Sequence, residues 1–169
     1  MLIETERLIL RPVQKTDFAD LCILDSDPEV RRYFPEGALV VEQIAKELER
    51  FMREWESLGF GMFVAIEKKN NQFIGRCGFA KLETGVVEFG YLLLKEYWGQ
   101  GYATEASLAL LDWGTKHVPT DHIVGFAPAN HLASRRVLEK CGMQYDKMDI
   151  YQDIVCVFYS YDCLKRRAI

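Results

Sequence analysis

Between Val41 and Gly61 the apolar residues Ile44, Leu48, Phe51 and Trp55 recur at intervals of four, three and four, with charges between them. Side chains at that spacing share one face of an α-helix, so the segment reads as an amphipathic helix ended by Gly59 and Gly61. From Met62 the period changes to two. "MFVAIEKK" and "NQFIGRCGFAKL" predict two strands joined by a turn at Asn70 and Asn71. "GVVEFGYLLL" (Gly85–Leu94) predicts a third, with Val87, Phe89, Tyr91 and Leu93 on one face and Glu88 and Gly90 on the other. Helical spacing returns in "ATEASLALLDWGTKH", through Ala106, Leu110 and Trp113, with Leu108 and Leu111 widening the stripe. "HIVGFA" reads as a strand, and "LASRRVLEKCGM" as a helix capped by Gly142. "DIYQDIVCVFYSYDCL" reads as two strands turning at Gln152 and Asp153. Upstream, "RLILRP" (Arg7–Pro12) is a short strand. "KTDFADLCILDSD" is a helix starting at Thr16 or Asp17, and "DPEVRRYF" is a short helix or turn.

The resulting order is β, α, α, β, β, β, α, β, α, β, β, a mixed α/β (α+β) domain. The strands after the first helices can pair antiparallel through short turns. The run from Glu88 to Ala127 has the length of a right-handed parallel crossover. No repeat, low-complexity segment or linker divides the 169 residues, which read as one domain, 1–169.

Composition then narrows the function. Net charge is −4, which argues against general nucleic-acid binding, since that needs a basic surface. No stretch approaches the ~18 apolar residues of a membrane helix, and Glu4 and Glu6 interrupt the first apolar run, so no signal peptide is read there. Five cysteines with no CxxC pair argue against a disulfide framework or zinc ribbon and fit a reducing compartment. These features predict a cytoplasmic protein. His117, His122 and His131 lack zinc-ligand spacing, and Cys77 and Cys141 read as core thiols. Glu36, Glu42 and Glu83 read as solvated charges that would also attract a cationic acceptor.

The stretch "YWGQGYATEA" (Tyr97–Ala106) joins a strand to a helix through Gly99 and Gly101. Free amides of a helix's first turn, the helix dipole and the missing side chains together make an anion cradle; a plain turn would need the same glycines. The Walker pattern GxxxxGK[ST] is absent. The dinucleotide fingerprint fails because its third small position falls on Thr104, and because Asp121 precedes the next strand instead of following it.

Taken in order, "TERLILRP", "EFGYLL", "WGQGYATEA" and "ASRRVLEKCGM" resemble the GNAT superfamily of acetyl-CoA-dependent N-acetyltransferases. Within it they are most similar to the branch of the Rim-type enzymes that acetylate ribosomal protein N-termini. The resemblance runs from residue 5 to about 143. It implies a mostly antiparallel sheet of six to seven strands, about four flanking helices, and a parallel strand pair splayed at the cofactor site. It implies that Gly99, Gln100, Gly101, Tyr102, Ala103 and Thr104 hold the pyrophosphate of coenzyme A, and that the pantetheine arm runs along Leu92, Leu93 and Leu94 as an added strand. Asn130 is the family's pantetheine contact, with His131 as the alternative position.

For the chemistry, the resemblance points to Glu88 as the base that relieves the ammonium of its proton, directly or through water. The plainer reading of Glu88 is a solvated strand carboxylate. Leu138 stands where many members carry the tyrosine acid, which leaves Ser134 as a donor to the sulfur or simply as a helix cap. No metal site is expected. The implied activity is transfer of acetyl from acetyl-CoA to a primary amine, either a protein N-terminus or a small molecule, by a monomer or homodimer. A non-catalytic acyl-CoA-binding regulatory domain of the same fold is the alternative, and a nucleotide-binding domain of another class is the third.

Overall fold

The helical stripe read from Val41 is α2 (Val41–Leu58). Ile44, Leu48 and Phe51 are buried, and Gly59 ends the helix in the left-handed region at φ 75°. The structure is a computed structural model describing residues 1–167. Around α2 it places α1 (Phe18–Asp25), α3 (Tyr102–His117), α4 (Leu132–Lys140) and α5 (Cys163–Arg167). The strands are β1 (Ile3–Glu4), β2 (Leu8–Pro12), β3 (Met62–Glu67), β4 (Gln72–Lys81), β5 (Val87–Leu93), β6 (His122–Pro128), β7 (Gln144–Tyr151) and β8 (Ile154–Asp162).

They form one sheet in the order β1-β2-β3-β4-β5-β6-β8-β7, with every neighbouring pair antiparallel except β5 and β6. The described residues thus give eight strands where six to seven were expected. The extra one is β1, a two-residue strand whose only basis is its register with Leu10 and Ile9. The five-residue α5 is the other unpredicted element. Of Thr16 and Asp17, the two expected starts, Asp17 is the N-cap residue of α1. It precedes α1 without a side-chain cap bond; its carboxylate instead pairs with Arg11 at 2.6 Å and accepts the Gln14 amide at 2.7 Å. Leu108, counted in the α3 stripe, is 48% exposed. The hairpin at Gln152 and Asp153 forms as expected, with φ 48° and 63°.

Two apolar clusters sandwich the sheet. One packs α3 and α4 against Phe79, Phe89 and Tyr159; the other packs α1 and α2 against Met62, Val64 and Leu92. Because strand side chains alternate, β5 serves both: Phe89 and Leu93 enter the first cluster, and Leu92 the second.

The feature that positions a site is the parallel pair. β5 and β6 are in register only at Val87–Ile123 and Glu88–Val124. Beyond that point β5 stays with β4 to Leu93, while β6 stays with β8 to Pro128. The sheet therefore splits into a V with Glu88 at its apex.

Candidate active site

A cavity of about 680 Å³ occupies the split. Its walls come from both faces of the sheet: Glu88, Arg76 and Arg50 on the α2 side, Tyr91, Ser134 and His131 on the α4 side. Residues 29–36, between α1 and α2, also line it. There Glu29 pairs with Lys95 at 2.8 Å, and Tyr33 stacks on His131 with ring centroids 3.8 Å apart.

One end of the cleft is the glycine loop. Gly99 and Gly101 have φ 70° and 84°, a region that ordinary side chains avoid. No protein atom lies within 4 Å of where a Gly99 Cβ would be. Among the described residues, the amides from Gly99 to Thr104 donate to no main-chain acceptor; the first bond into α3 is Glu105 N–H to Gly101 C=O at 3.0 Å. Gly99, Gln100, Gly101, Tyr102, Ala103 and Thr104 therefore present a continuous run of free donors at the positive end of a 16-residue helix.

The loop is held from outside. Glu105, in the first turn of α3, accepts the Arg7 amide at 2.8 Å and the Arg7 Nε at 2.6 Å. It also accepts the Thr5 hydroxyl. Arg7 donates in turn to the Gln100 carbonyl at 2.9 Å and lies 4.1 Å from the centroid of the Tyr102 ring. The Tyr102 hydroxyl donates to Glu67. Every one of these bonds engages a carbonyl or a side chain, so the loop amides stay free. Arg7 and Glu105 each lie in a motif legible in the sequence, but 98 positions separate them, so no local pattern joins the two.

Along the edge of β5 the three expected residues divide. The Leu94 amide donates to Ile74 at 2.9 Å, so Leu94, and by the two-residue period Leu92, turn their main chains toward β4. Tyr91 and Leu93 present theirs to the open side, where the Trp98 indole already donates to the Leu93 carbonyl at 2.8 Å. Asn130 is exposed and lies outside the cavity lining, whereas His131 is in it. Burial, then the nearby Arg32, push His131 down to about 4, so its ring is neutral at physiological pH.

Glu88 and Ser134 both line the cavity. Burial raises the Glu88 carboxyl above its ordinary value, and Arg50 and Arg76 offset this only in part. Ser134 neighbours a group missing from the sequence-derived set. Tyr91, assigned by alternation to the apolar face, lines the cavity beside Ser134, and burial pushes its phenol up to about 12, with Ser134 offsetting this only in part. Alternation identifies the face of Tyr91 but cannot show that α4 brings a hydroxyl to it. Leu138 is buried and offers no proton. Cys77 and Cys141 are buried thiols raised by that burial to about 12 and about 11, which leaves them inert. Among the described residues no cluster of His, Cys, Asp or Glu could hold a metal, and no helix is long and apolar enough to cross a membrane.

The site invites comparison with known proteins. The uncharacterized N-acetyltransferase p20 of Bacillus licheniformis is 31% identical over 143 residues, spanning 83% of this chain and 80% of its own. The crystal structure of a GNAT-family acetyltransferase from Bacillus anthracis superposes with a TM-score of 0.82 at 26% identity, covering 97% of this chain and 99% of its own. The fold is also that of RimL, a ribosomal L7/L12 alpha-N-protein acetyltransferase solved with coenzyme A, with a TM-score of 0.79 at 15% identity over 96% and 98% of the two chains. The family model for the acetyltransferase (GNAT) domain matches residues 7–144. With the split sheet and the open glycine loop inside that match, the chain belongs to the GNAT family of acetyltransferases.

Proposed function

We propose that this acetyltransferase moves the acetyl group of acetyl-CoA onto a primary amine by direct attack within the split of the sheet. The observation that carries the reading is the run of free amides from Gly99 to Thr104, a match for a pyrophosphate that leads the rest of the cofactor into the split. When bound, the cofactor supplies an activated thioester, so the residues need only bind, orient and manage protons. The open edge of β5 at Tyr91 and Leu93 offers main-chain groups to the pantetheine amides.

Glu88 is the base. An ionised carboxylate deprived of water is a stronger base than one in solution, which suits it to take a proton from the incoming ammonium. An α-amine titrates near 8 and a lysine-type amine near 10.4, so preparing the latter costs roughly 3 kcal/mol more. That difference favours an α-amine, as does the fold shared with RimL, named for an alpha-N-protein acceptor. A small-molecule amine of similar pKa fits equally.

Ser134 and Tyr91 serve the leaving sulfur. A phenol raised to about 12 is a weaker acid than a thiol, so complete transfer of its proton to the departing thiolate is uphill. Tyr91 is therefore a hydrogen-bond donor that steadies the charge, acting through or beside Ser134. A non-catalytic acyl-CoA binder is the second reading, favoured by Leu138 standing where the family's acid would be. Release of free thiol from acetyl-CoA across a panel of peptide N-termini and small amines separates the two. The proposal expects acceptor-dependent release. Tight coenzyme A binding with no amine promoting release would establish the binder.

A further inference from the structure

The sheet ends at β7, which has no strand on its outer side among the described residues. Its sequence is Gln-Tyr-Asp-Lys-Met-Asp-Ile-Tyr, and Tyr145, Met148 and Ile150 are 64%, 56% and 69% exposed. The direction of its main chain follows from the hairpin. A two-residue turn with positive φ at both positions is flanked by a hydrogen-bonded pair, here Tyr151–Ile154. Bonded pairs then recur at every second position, at Asp149–Cys156 and Lys147–Phe158, so Met148 and Ile150 turn their amides and carbonyls outward. Two bonds agree. The Ile150 amide donates to the Asp149 carboxylate at 2.9 Å instead of to β8. The carbonyl of Val155, opposite Ile150, accepts from Ala129 at 2.9 Å, away from β7.

About Met148 the segment is close to self-complementary: Tyr145 and Tyr151 lie three positions out, and Lys147 and Asp149 one position out. We propose that β7 pairs antiparallel with the β7 of a second copy about a two-fold axis at Met148, joining two sheets into one. In that register Lys147 faces the partner's Asp149 and Asp149 faces the partner's Lys147. Both pairs fall at non-hydrogen-bonded positions, where opposite side chains approach most closely. On the other face, Met148 meets the partner's Met148 directly, and each Ile150, set opposite the partner's Asp146, covers the partner's Met148 diagonally. Centring the axis on Lys147 or on Asp149 would set like charges opposite each other, so charge selects the register.

A lysine and a bulge on an edge strand usually prevent pairing. Here the bulge between Tyr145 and Lys147 falls near the ends of the paired segment and spares the central positions 147–149, and the lysine is matched by an aspartate two residues on. The same charges that repel a foreign edge suit a second copy. Tyr151 and Gln152, at the hairpin tip, line the cavity, so the pairing would also brace one wall of the active site. It does not depend on the assigned chemistry.

Sedimentation equilibrium of the full chain tests the proposal. The expected mass is twice the 19.6 kDa of the chain. Lys147→Glu and Asp149→Lys, both at exposed positions, each set like charges across the axis and are expected to give monomers with unchanged circular dichroism. Mixed in equal amounts, the two variants become complementary and are expected to form a heterodimer. The double variant is expected to dimerise alone. A wild-type monomer at the highest soluble concentration would overturn the proposal. So would single variants that remain dimers, or a mixture that stays monomeric.

Discussion

Asp25 and Glu88 are two carboxylates near one guanidinium, that of Arg76, and they have opposite fates. Asp25, at the end of α1, accepts Arg31 at 3.0 Å and Arg76 at 2.9 Å and is 4% exposed. Burial alone would raise its pKa, but the two arginines outweigh burial and hold it below the usual carboxylate range. Glu88, at the apex of the split, feels Arg76 and Arg50 without bonding to either, and burial wins. Neighbouring charge is therefore a poor guide to role. Hydrogen bonding decides: a carboxylate whose oxygens are engaged is structural, and one left free in a cavity is available to a substrate. The glycine loop repeats the contrast, because its carbonyl and side-chain groups are engaged by Arg7 and Glu67 while its amides are not.

Removing the saturated carboxylate is expected to have the largest effect. Asp25→Ala leaves Arg31 and Arg76 buried without their partner, and breaking a buried ion pair costs ~3–5 kcal/mol. Urea unfolding should show that loss, with catalysis per folded molecule largely kept. The pH dependence has a definite sign. Because the folded-state pKa of Asp25 is depressed, its contribution is full above the unfolded value of about 3.9 and disappears as pH falls through the lower folded value. Asp25→Asn should flatten that part of the acid unfolding curve.

Removing the free carboxylate should do the reverse. Glu88→Gln is expected to lower kcat by about 10²-fold or more, the scale of losing a general base, and to lower it less at high pH, where more amine is already neutral. Its stability should hold or rise at neutral pH. The folded-state pKa of Glu88 is raised, so the folded protein binds the proton more tightly than the unfolded chain. Stability therefore falls as pH climbs from the unfolded value through the raised one, and the amide escapes that loss. A pH-independent fall in kcat together with a lower Tm would move Glu88 into the same class as Asp25.

This contrast also marks how far the sequence is legible. Periodicity reveals α2, the alternation of β5 and the glycine turn, because each is a local pattern written in consecutive residues. The parallel pairing of β5 with β6 follows from the strand–helix–strand order, whereas the split at Glu88 is implied only by the resemblance to the family. Asp25 reads only as a charge near a helix end, since its partners lie 6 and 51 positions away and only the packed fold brings them together. The bracing of the loop by Arg7 and Glu105 and the meeting of Tyr91 with Ser134 are hidden for the same reason. β1 is too short for any pattern, and Leu108 satisfies the helical period while facing solvent.

A smaller effect is expected where backbone geometry can be separated from binding. Gly85 and Gly99 have φ 84° and 70°, and a Cβ at either would meet no protein atom within 4 Å. Gly85→Ala and Gly99→Ala should therefore lose similar stability, ~1–2 kcal/mol for a left-handed alanine. Only Gly99→Ala should raise KM for acetyl-CoA, by roughly tenfold or more, as expected for disturbing one or two charge-assisted hydrogen bonds. Equal KM values in the two variants would place the pyrophosphate elsewhere.

The smallest expected effect is at Tyr91, and it tests whether that hydroxyl is spent on structure or kept for the reaction. A neutral hydrogen bond contributes about 0.5–1.5 kcal/mol, so Tyr91→Phe should cost kcat roughly two- to tenfold. Loss of that size would also follow if Tyr91 merely satisfied Ser134. The leaving group separates the cases. If Tyr91 and Ser134 steady charge on the departing sulfur, the penalty should shrink with an acetyl thioester whose thiol is more acidic than coenzyme A, because less charge then needs support. A structural bond would impose the same penalty on both donors. Since the two residues line one cavity and would serve the same sulfur, Tyr91→Phe and Ser134→Ala should also be non-additive: once one is gone the other has less to lose, and the double variant should fall only slightly below the worse single one. Additive losses that ignore the leaving thiol would return Tyr91 to the structural class of Asp25 and leave Glu88 as the one free polar side chain the chemistry uses.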